Sequence, residues 1–465
     1  MNGKVGRKVA GRRLTEKRAR AVAGREQRAT LARVHPCSCL SGVISLPGDK
    51  SISHRLAMLA ALAQGESRLR NFLRSEDCLN TVKALEALGA GVVWKGDELR
   101  ITGGPWKPPK LPLDMGNSGT GMRLLAGLLA ARPWRSVLTG DASLCSRPME
   151  RIRAPLEMMG ARVELQGRGG CAPLAVQGGN LHGVEYRMPM ASAQVKSCVL
   201  LAGLFAKGHT TVWEPSPTRD HTELILQSMG VPVEVSGLKI TLKGYGPAGP
   251  ELPVREWMVP GDFSAAAFWL VAAGAMPEAS VSLPFVGLNQ RRSVFLKVLQ
   301  RMGAQVKVTH IQDPAPEPLG EVVVRGATLR GVEVGGDDIP GMIDELPLLA
   351  VTGALACGET VIRDAAELRA KESDRIACMA ANLRASGVKV EEAPDGMRVT
   401  GGAVKGGVRV PSFGDHRVAM AMAVLAVFAE KPLEIENIGC VRTSYPNFWQ
   451  HLRSLGVHVE LSGGD

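Results

Sequence analysis

Hydrophobic and polar positions along the chain fall into a pattern that returns six times. In each repeat an amphipathic helix closes on Leu-x-x-x-Gly and leads into a short strand with alternating apolar and polar residues. The closing segments are 85–89, 156–160, 226–230, 299–303, 383–387 and 452–456, and their glycines stand 71, 70, 73, 84 and 69 residues apart. Glycine just past a helix suits the left-handed cap. Stretches such as 161–165 (Ala-Arg-Val-Glu-Leu) and 457–461 (Val-His-Val-Glu-Leu) have the period of a half-buried strand. Each repeat also holds a more apolar helix, expected to begin near Ser53, Gly119, Ser192, Phe263, Ile343 and His416. Six units of strand–helix–strand–helix with extra strands are a repeat architecture. Three units per domain make two α/β domains, and helices with so little polar face belong in the middle of each, with sheets outside. Pro-Gly at 47–48 and 260–261 marks where the chain passes between domains. The expected division is a leader at 1–38, an N-terminal domain at 48–259, and a C-terminal domain of 39–47 plus 260–465.

Composition adds exclusions. The chain has 465 residues, 45% hydrophobic and 22% charged, which is ordinary for a globular protein. The longest apolar run, Val418–Ala429, is twelve residues, well short of the roughly 18–20 of a membrane span. The nine cysteines include no C-x-x-C pair and read as reduced thiols of a cytosolic protein, with no metal site expected. The net charge of +11 suggests nucleic-acid binding until it is located. Residues 1–35 hold eleven Lys/Arg against two Glu, which leaves 45 Lys/Arg against 43 Asp/Glu for the rest. The body is therefore nearly neutral, and the basic leader is expected to be a disordered, dispensable tail.

The polar residues that interrupt the apolar helices cluster at their N-terminal ends. They are Lys50, Ser51 and Arg55 after Pro-Gly, with Ser51 or Ser53 as the expected N-cap; the Asn117-Ser-Gly119-Thr-Gly-Met-Arg123 loop; Ser192-Ala193-Gln194; Asp344-Glu345; and Asp415-His-Arg417. Arg147, Lys371, Glu372 and Arg375 stand in the connections between helices. Cations are unfavourable at a helix N-terminus unless an anion binds there. If the buried helices run parallel, these residues meet on one face and form an anion trap suited to phosphates and carboxylates. Asp344 and Glu372 within it are candidate proton carriers. The Asn117 loop fits neither G-x-x-x-x-G-K-[ST] nor G-x-G-x-x-G, which excludes those nucleotide loops.

The strings PGDKSISHR (47–55), GNSGTGMR (116–123), SRPM (146–149), PMASAQVKS (189–197), TRDHTE (218–223), MIDELP (342–347), ELRAKESDR (367–375) and DHRVAMAM (415–422) resemble, in order and over roughly residues 41–461, the 3-phosphoshikimate 1-carboxyvinyltransferase (EPSP synthase) family, in the form of its second bacterial class. The resemblance implies an inside-out pair of α/β barrels with three βαβαββ units each. It also implies transfer of enolpyruvyl from phosphoenolpyruvate to the 5-hydroxyl of shikimate 3-phosphate, without a cofactor, by a cytoplasmic monomer that binds neither nucleic acid nor membrane. Carried over by position, Lys50, Ser51, Arg55, Ser192, Ala193, Gln194, Arg219, Asp344 and Lys371 hold shikimate 3-phosphate. Lys50, Asn117, Gly119, Arg147, Gln194, Arg375 and Arg417 hold phosphoenolpyruvate. Asp344 takes the hydroxyl proton and Glu372, with Lys50, protonates the methylene carbon. Substrate binding is expected to close the domains, and Gly119 implies sensitivity to glyphosate. Thr443 stands where many relatives carry a phosphate-touching Lys.

The sequence leaves two alternatives. UDP-N-acetylglucosamine enolpyruvyl transferase shares fold and donor but lacks the Ser-Ala-Gln motif, and its mobile-loop Cys has no counterpart among the nine. The basic leader suggests a non-catalytic RNA-associated or scaffold protein, against which stand Asp344, Glu372 and the full set of cations.

Overall fold

The protein is described by a computed structural model over residues 30–311 and 317–463; the basic run at 1–29 lies outside the described residues. Apolar helices at Lys50–Leu62, Gly119–Ala130 and Ala193–Gly203 fill the middle of one half, and those at Phe263–Gly274, Leu346–Leu355 and His416–Ala426 fill the other. Every residue of Phe263–Gly274 and of His416–Ala426 is buried. A helix surrounded by protein needs no polar face, which is why these segments show none in the sequence. The amphipathic helices Glu76–Ala87, Glu150–Met158, His221–Ser228, Val294–Arg301, Arg375–Ala385 and Phe448–Ser454 alternate with them along the chain. Each is followed by its repeat glycine in left-handed geometry, from φ 83° at Gly230 to 105° at Gly89.

Six four-stranded sheets cover the outside, all wound alike. In one, Leu113–Asp114 runs parallel to Ser136–Thr139, which pairs antiparallel with Leu174–Gln177, which pairs antiparallel with Arg162–Leu165. Three sheets take a strand from a distant part of the chain, one of them Ser41–Val43, which runs parallel to Ser280–Gly287. Glu256–Met258 completes the sheet of Gly65–Arg70. Leu31–Val34 lies between Leu433–Glu436 and Val459–Ser462. That last strand is a correction: residues 31–34, assigned from the sequence to the disordered leader, form the interior of the final sheet, with Ala32 and Val34 fully buried. Their alternating Leu-Ala-Arg-Val pattern is too short to stand out beside eleven basic residues.

The apolar side chains form two separate cores, one from residues 52–259 and one from 32–46 and 263–459. The chain crosses between them twice, side by side: Asp49 N–H donates to the Pro260 carbonyl (2.7 Å) and Asp262 N–H to the Pro47 carbonyl (2.9 Å). Among the described residues no helix is long and apolar enough to cross a membrane, and all nine cysteines are free.

Candidate active site

The N-termini of the central helices open toward the junction between the halves. The Lys50 helix is capped by Asp49, whose carboxylate accepts from Ile52 N–H (2.9 Å), and not by Ser51 or Ser53 as the sequence suggested. Ser53 instead accepts from Leu73 N–H (3.1 Å), a tertiary bond with no local signature. Ser118, Ser192 and Asp415 cap the Gly119, Ala193 and His416 helices. Each cap satisfies N–H groups locally and fixes the direction of the residues that follow.

Two adjoining cavities of about 360 and 90 Å³ occupy the junction. The larger is lined by Arg147, Ser192, Ala193, Gln194, Arg219, Asp344, Lys371 and Glu372 among others. Lys50, Ser51, Arg55, Arg375 and Arg417 line the smaller, which shares Gln194, Arg219, Asp344 and Glu372. Two candidates stand outside both. Asn117 faces a separate chamber, where it donates to Asp141; its Oδ1 accepts from Arg147 Nη2 (2.6 Å), so it reaches the cleft only through that arginine. Gly119 lies beneath the guanidinium groups of Arg123 and Arg147. A Cβ there would come within 3.2 Å of an Nη1 of each.

Carboxylates of the C-terminal half meet cations of the N-terminal half across the cleft. Asp344 takes Arg219 through one oxygen and Arg375 Nη1 through the other (3.3 Å). Burial pushes its carboxyl up, but Arg219, Arg417, Lys371 and Arg375 outweigh this and hold it well below the usual range. Glu372 takes Arg375 Nη2 (2.6 Å) and Arg147 Nη1 (3.4 Å). Burial is again overcome, by Arg375, Arg147, His416 and Lys50, so it too is held low. Buried Arg375 is anchored by Asp415 (2.8 Å). Arg151 pairs across the cleft with Glu367 (3.2 Å), the carboxylate that also takes Lys371 (3.1 Å).

Two cations are held differently. Arg55 is buried without a carboxylate in contact: its Nε donates to Thr222 Oγ1 (2.7 Å), Nη2 to Ser197 Oγ (2.7 Å) and Nη1 to the Ser51 carbonyl (2.9 Å). Burial pulls it down to about 10, so its charge remains at neutral pH and is left for a ligand. Lys50 donates to Asp77 (3.0 Å); burial lowers it, but Asp77 and Glu372 raise it more. Thr443 turns to His416 Nδ1 (3.4 Å) and the Cys440 carbonyl (2.7 Å).

The sequence did not point to Asp77, Arg151 or Arg292, and it placed Arg123 in its loop without a role. Arg123 holds Gln194 by its amide oxygen while the Gln194 amide donates to Thr120 (2.9 Å), which fixes the amide's direction. Buried Arg292 pairs with Glu345 (2.8 Å), and Arg417 approaches the same carboxylate at 3.6 Å. Only Arg123 had a signal, since it lies one helical turn beyond Gly119.

Fold and site define an enzyme for small anions, built as an inside-out pair of α/β barrels. The EPSP synthase (3-phosphoshikimate 1-carboxyvinyltransferase) family model matches residues 34–452. The chain is 50% identical over 431 residues to the 3-phosphoshikimate 1-carboxyvinyltransferase of Akkermansia muciniphila, covering 90% of this chain and 98% of that one. It superposes on EPSP synthase from Acinetobacter baumannii with TM-score 0.82 and 40% identity, over 93% of this chain and all of that one. The enolpyruvyl transferase NikO from Streptomyces tendae, 20% identical with TM-score 0.76, shares the fold. The chain belongs to the EPSP synthase family.

Proposed function

We propose that the protein transfers the enolpyruvyl group of phosphoenolpyruvate to the 5-hydroxyl of shikimate 3-phosphate, releasing phosphate. The observation that carries this is the pairing, in one cleft, of Asp344 and Glu372 with a surplus of buried cations, in a chain of this family. Lys50, Ser51, Arg55, Ser192, Ala193, Gln194, Arg219 and Lys371 hold shikimate 3-phosphate in this scheme. Lys50, Gly119, Arg147, Gln194, Arg375 and Arg417 hold phosphoenolpyruvate, with Asn117 supporting Arg147. Planar bidentate arginines suit both its phosphate and its carboxylate.

The 5-hydroxyl oxygen attacks C2 of phosphoenolpyruvate as Asp344 removes its proton, and Glu372 delivers a proton to C3, giving a tetrahedral intermediate. Glu372, now a carboxylate, takes back a methyl proton as the C–O bond to phosphate breaks, restoring the double bond in the product. General acid–base help is worth about 10²–10⁴-fold, so holding two anions against each other must supply much of the rest. The enzyme acts in the cytoplasm as a monomer.

The test is phosphate release from phosphoenolpyruvate with shikimate 3-phosphate or UDP-N-acetylglucosamine as acceptor. Release with shikimate 3-phosphate alone, reduced by at least about 10²-fold in Asp344→Ala, is expected. Release with the sugar nucleotide alone would move the chain to the other transferase, and silence with both would favour the non-catalytic alternative.

A further inference from the structure

The final sheet carries a cluster that the cleft does not use. Leu31–Val34 and Val459–Ser462 pair antiparallel with Val34 opposite Val459 and Arg33 opposite Glu460. The ladder continues one step, where His35 N–H donates to the His458 carbonyl (3.0 Å), so His35 and His458 stand opposite each other. Ala32, Val34, Val457 and Val459 point into the core. By alternation His35, His458 and Glu460 share the outward face. The two imidazole rings lie with centroids 4.4 Å apart, and His35 Nε2 is 2.6 Å from Glu460 Oε1. One donor atom from each of the three falls within 4.8 Å of the other two.

We propose that His35, His458 and Glu460 bind a borderline divalent cation, Zn²⁺ foremost and Ni²⁺ or Cu²⁺ by the same chemistry. Two imidazoles and a carboxylate are a donor set these ions favour, whereas Mg²⁺ and Ca²⁺ prefer oxygen alone. With bonds of about 2.0–2.2 Å, donors around a tetrahedral ion stand roughly 3.3 Å apart. The His35–Glu460 pair must therefore open slightly and the third donor close in, both within reach of side-chain torsions on a fixed backbone. Exposure leaves the remaining positions to water. The strand pairing preorganises the site, since His35 and His458 are directly opposite and Glu460 is the diagonal neighbour of His35 on the same face of an antiparallel pair. Arg33, opposite both Glu434 and Glu460 on that face, is the positive charge that an incoming ion meets beside Glu460. The ion would tie the first strand of the fold to the last, a strap that stabilises the sheet and leaves catalysis alone.

A lone surface ion pair between His35 and Glu460 is the competing explanation, and such pairs contribute little. The two differ in what happens to added metal. Isothermal titration of the full chain with Zn²⁺ should show one equivalent bound, weakened by about tenfold or more in His35→Ala and in His458→Ala, and less in Glu460→Gln. The same Zn²⁺ should raise the unfolding midpoint of the parent by about 2 °C or more and leave that of both histidine variants unmoved. Circular dichroism checks that the variants fold, and phosphate release should be unchanged in all three. Exposed Cys39 and Cys357 are the rival thiol ligands. Binding that survives both histidine variants, binding lost in Cys39→Ser or Cys357→Ser instead, or no binding to the parent would each overturn the proposal.

Discussion

Asp344 and Glu372 are held as carboxylates by the arginines assigned to the substrates, which predicts that binding retunes them. In the free protein Arg219 and Arg375 contact Asp344, and Arg375 and Arg147 contact Glu372. A carboxylate held this low is a poor base, and an acid held this low carries almost no proton at neutral pH. Phosphate and carboxylate groups arriving on Arg219, Arg147 and Arg375 would take over these contacts and add negative charge beside both residues. Each contacting cation lowers a carboxyl by about 1–3 units. Losing the share of two should therefore raise each residue by at least about 2 units, roughly 2.7 kcal/mol.

The assay compares pH profiles. The kcat/KM profile reports the free enzyme and kcat the bound complex. Because both carboxyls are depressed in the free protein, neither titrates above about pH 4, and a limb of kcat/KM near pH ~6 belongs to substrate phosphate, whose second ionisation lies there, whereas one near about 10 belongs to Arg55. In the complex Glu372 must be protonated to act, so the pH above which kcat falls tenfold per unit should lie about 2 units higher than it would with Glu372 still held well below the usual range. If Glu372 stayed depressed, its protonated fraction and kcat would drop tenfold per pH unit from that lower pH upward. That decline, or the same limbs in both profiles after correction for the substrates, would refute the retuning.

Gly119→Ala places a methyl 3.2 Å from both Arg123 and Arg147, displacing guanidinium groups by a few tenths of an ångström. Glyphosate spans more atoms between its anionic ends than phosphoenolpyruvate does. Its competitive inhibition constant should rise about tenfold or more while KM for phosphoenolpyruvate moves much less, and equal weakening would count against the placement. Thr222→Val keeps shape but removes the acceptor of Arg55 Nε; an orphaned buried donor costs about 1–3 kcal/mol, so the free energy of unfolding in denaturant should fall by about that amount, and an unchanged stability would count against this anchoring. Deleting residues 2–29 should leave steady-state rates intact. Deletion through residue 35 removes the strand between Leu433–Glu436 and Val459–Ser462 and should abolish soluble, cooperative unfolding of the C-terminal half.

What was legible in the sequence was what repeats. Six Leu-x-x-x-Gly endings and six apolar helices located the buried centre, and cations at helix starts, unfavourable without an anion, located the cleft. What was not legible depends on contacts between repeats. Nothing near residue 31 says that Leu31–Val34 pairs with residues about 400 positions on, because a four-residue strand is defined by its partners. Nothing in Asn117 says that it supports Arg147 and faces away from the cleft. The same holds for charge. Residue type made Asp344 and Glu372 candidate proton carriers, yet part of what sets their basicity is Arg147 and Arg219, which reach across from the other half. Because those contacts cross the cleft, opening the halves would release the carboxylates as substrate anions do. Domain closure and proton transfer therefore share the same arginines: the cations that draw the halves together in the free protein are the ones the substrates must capture before chemistry begins.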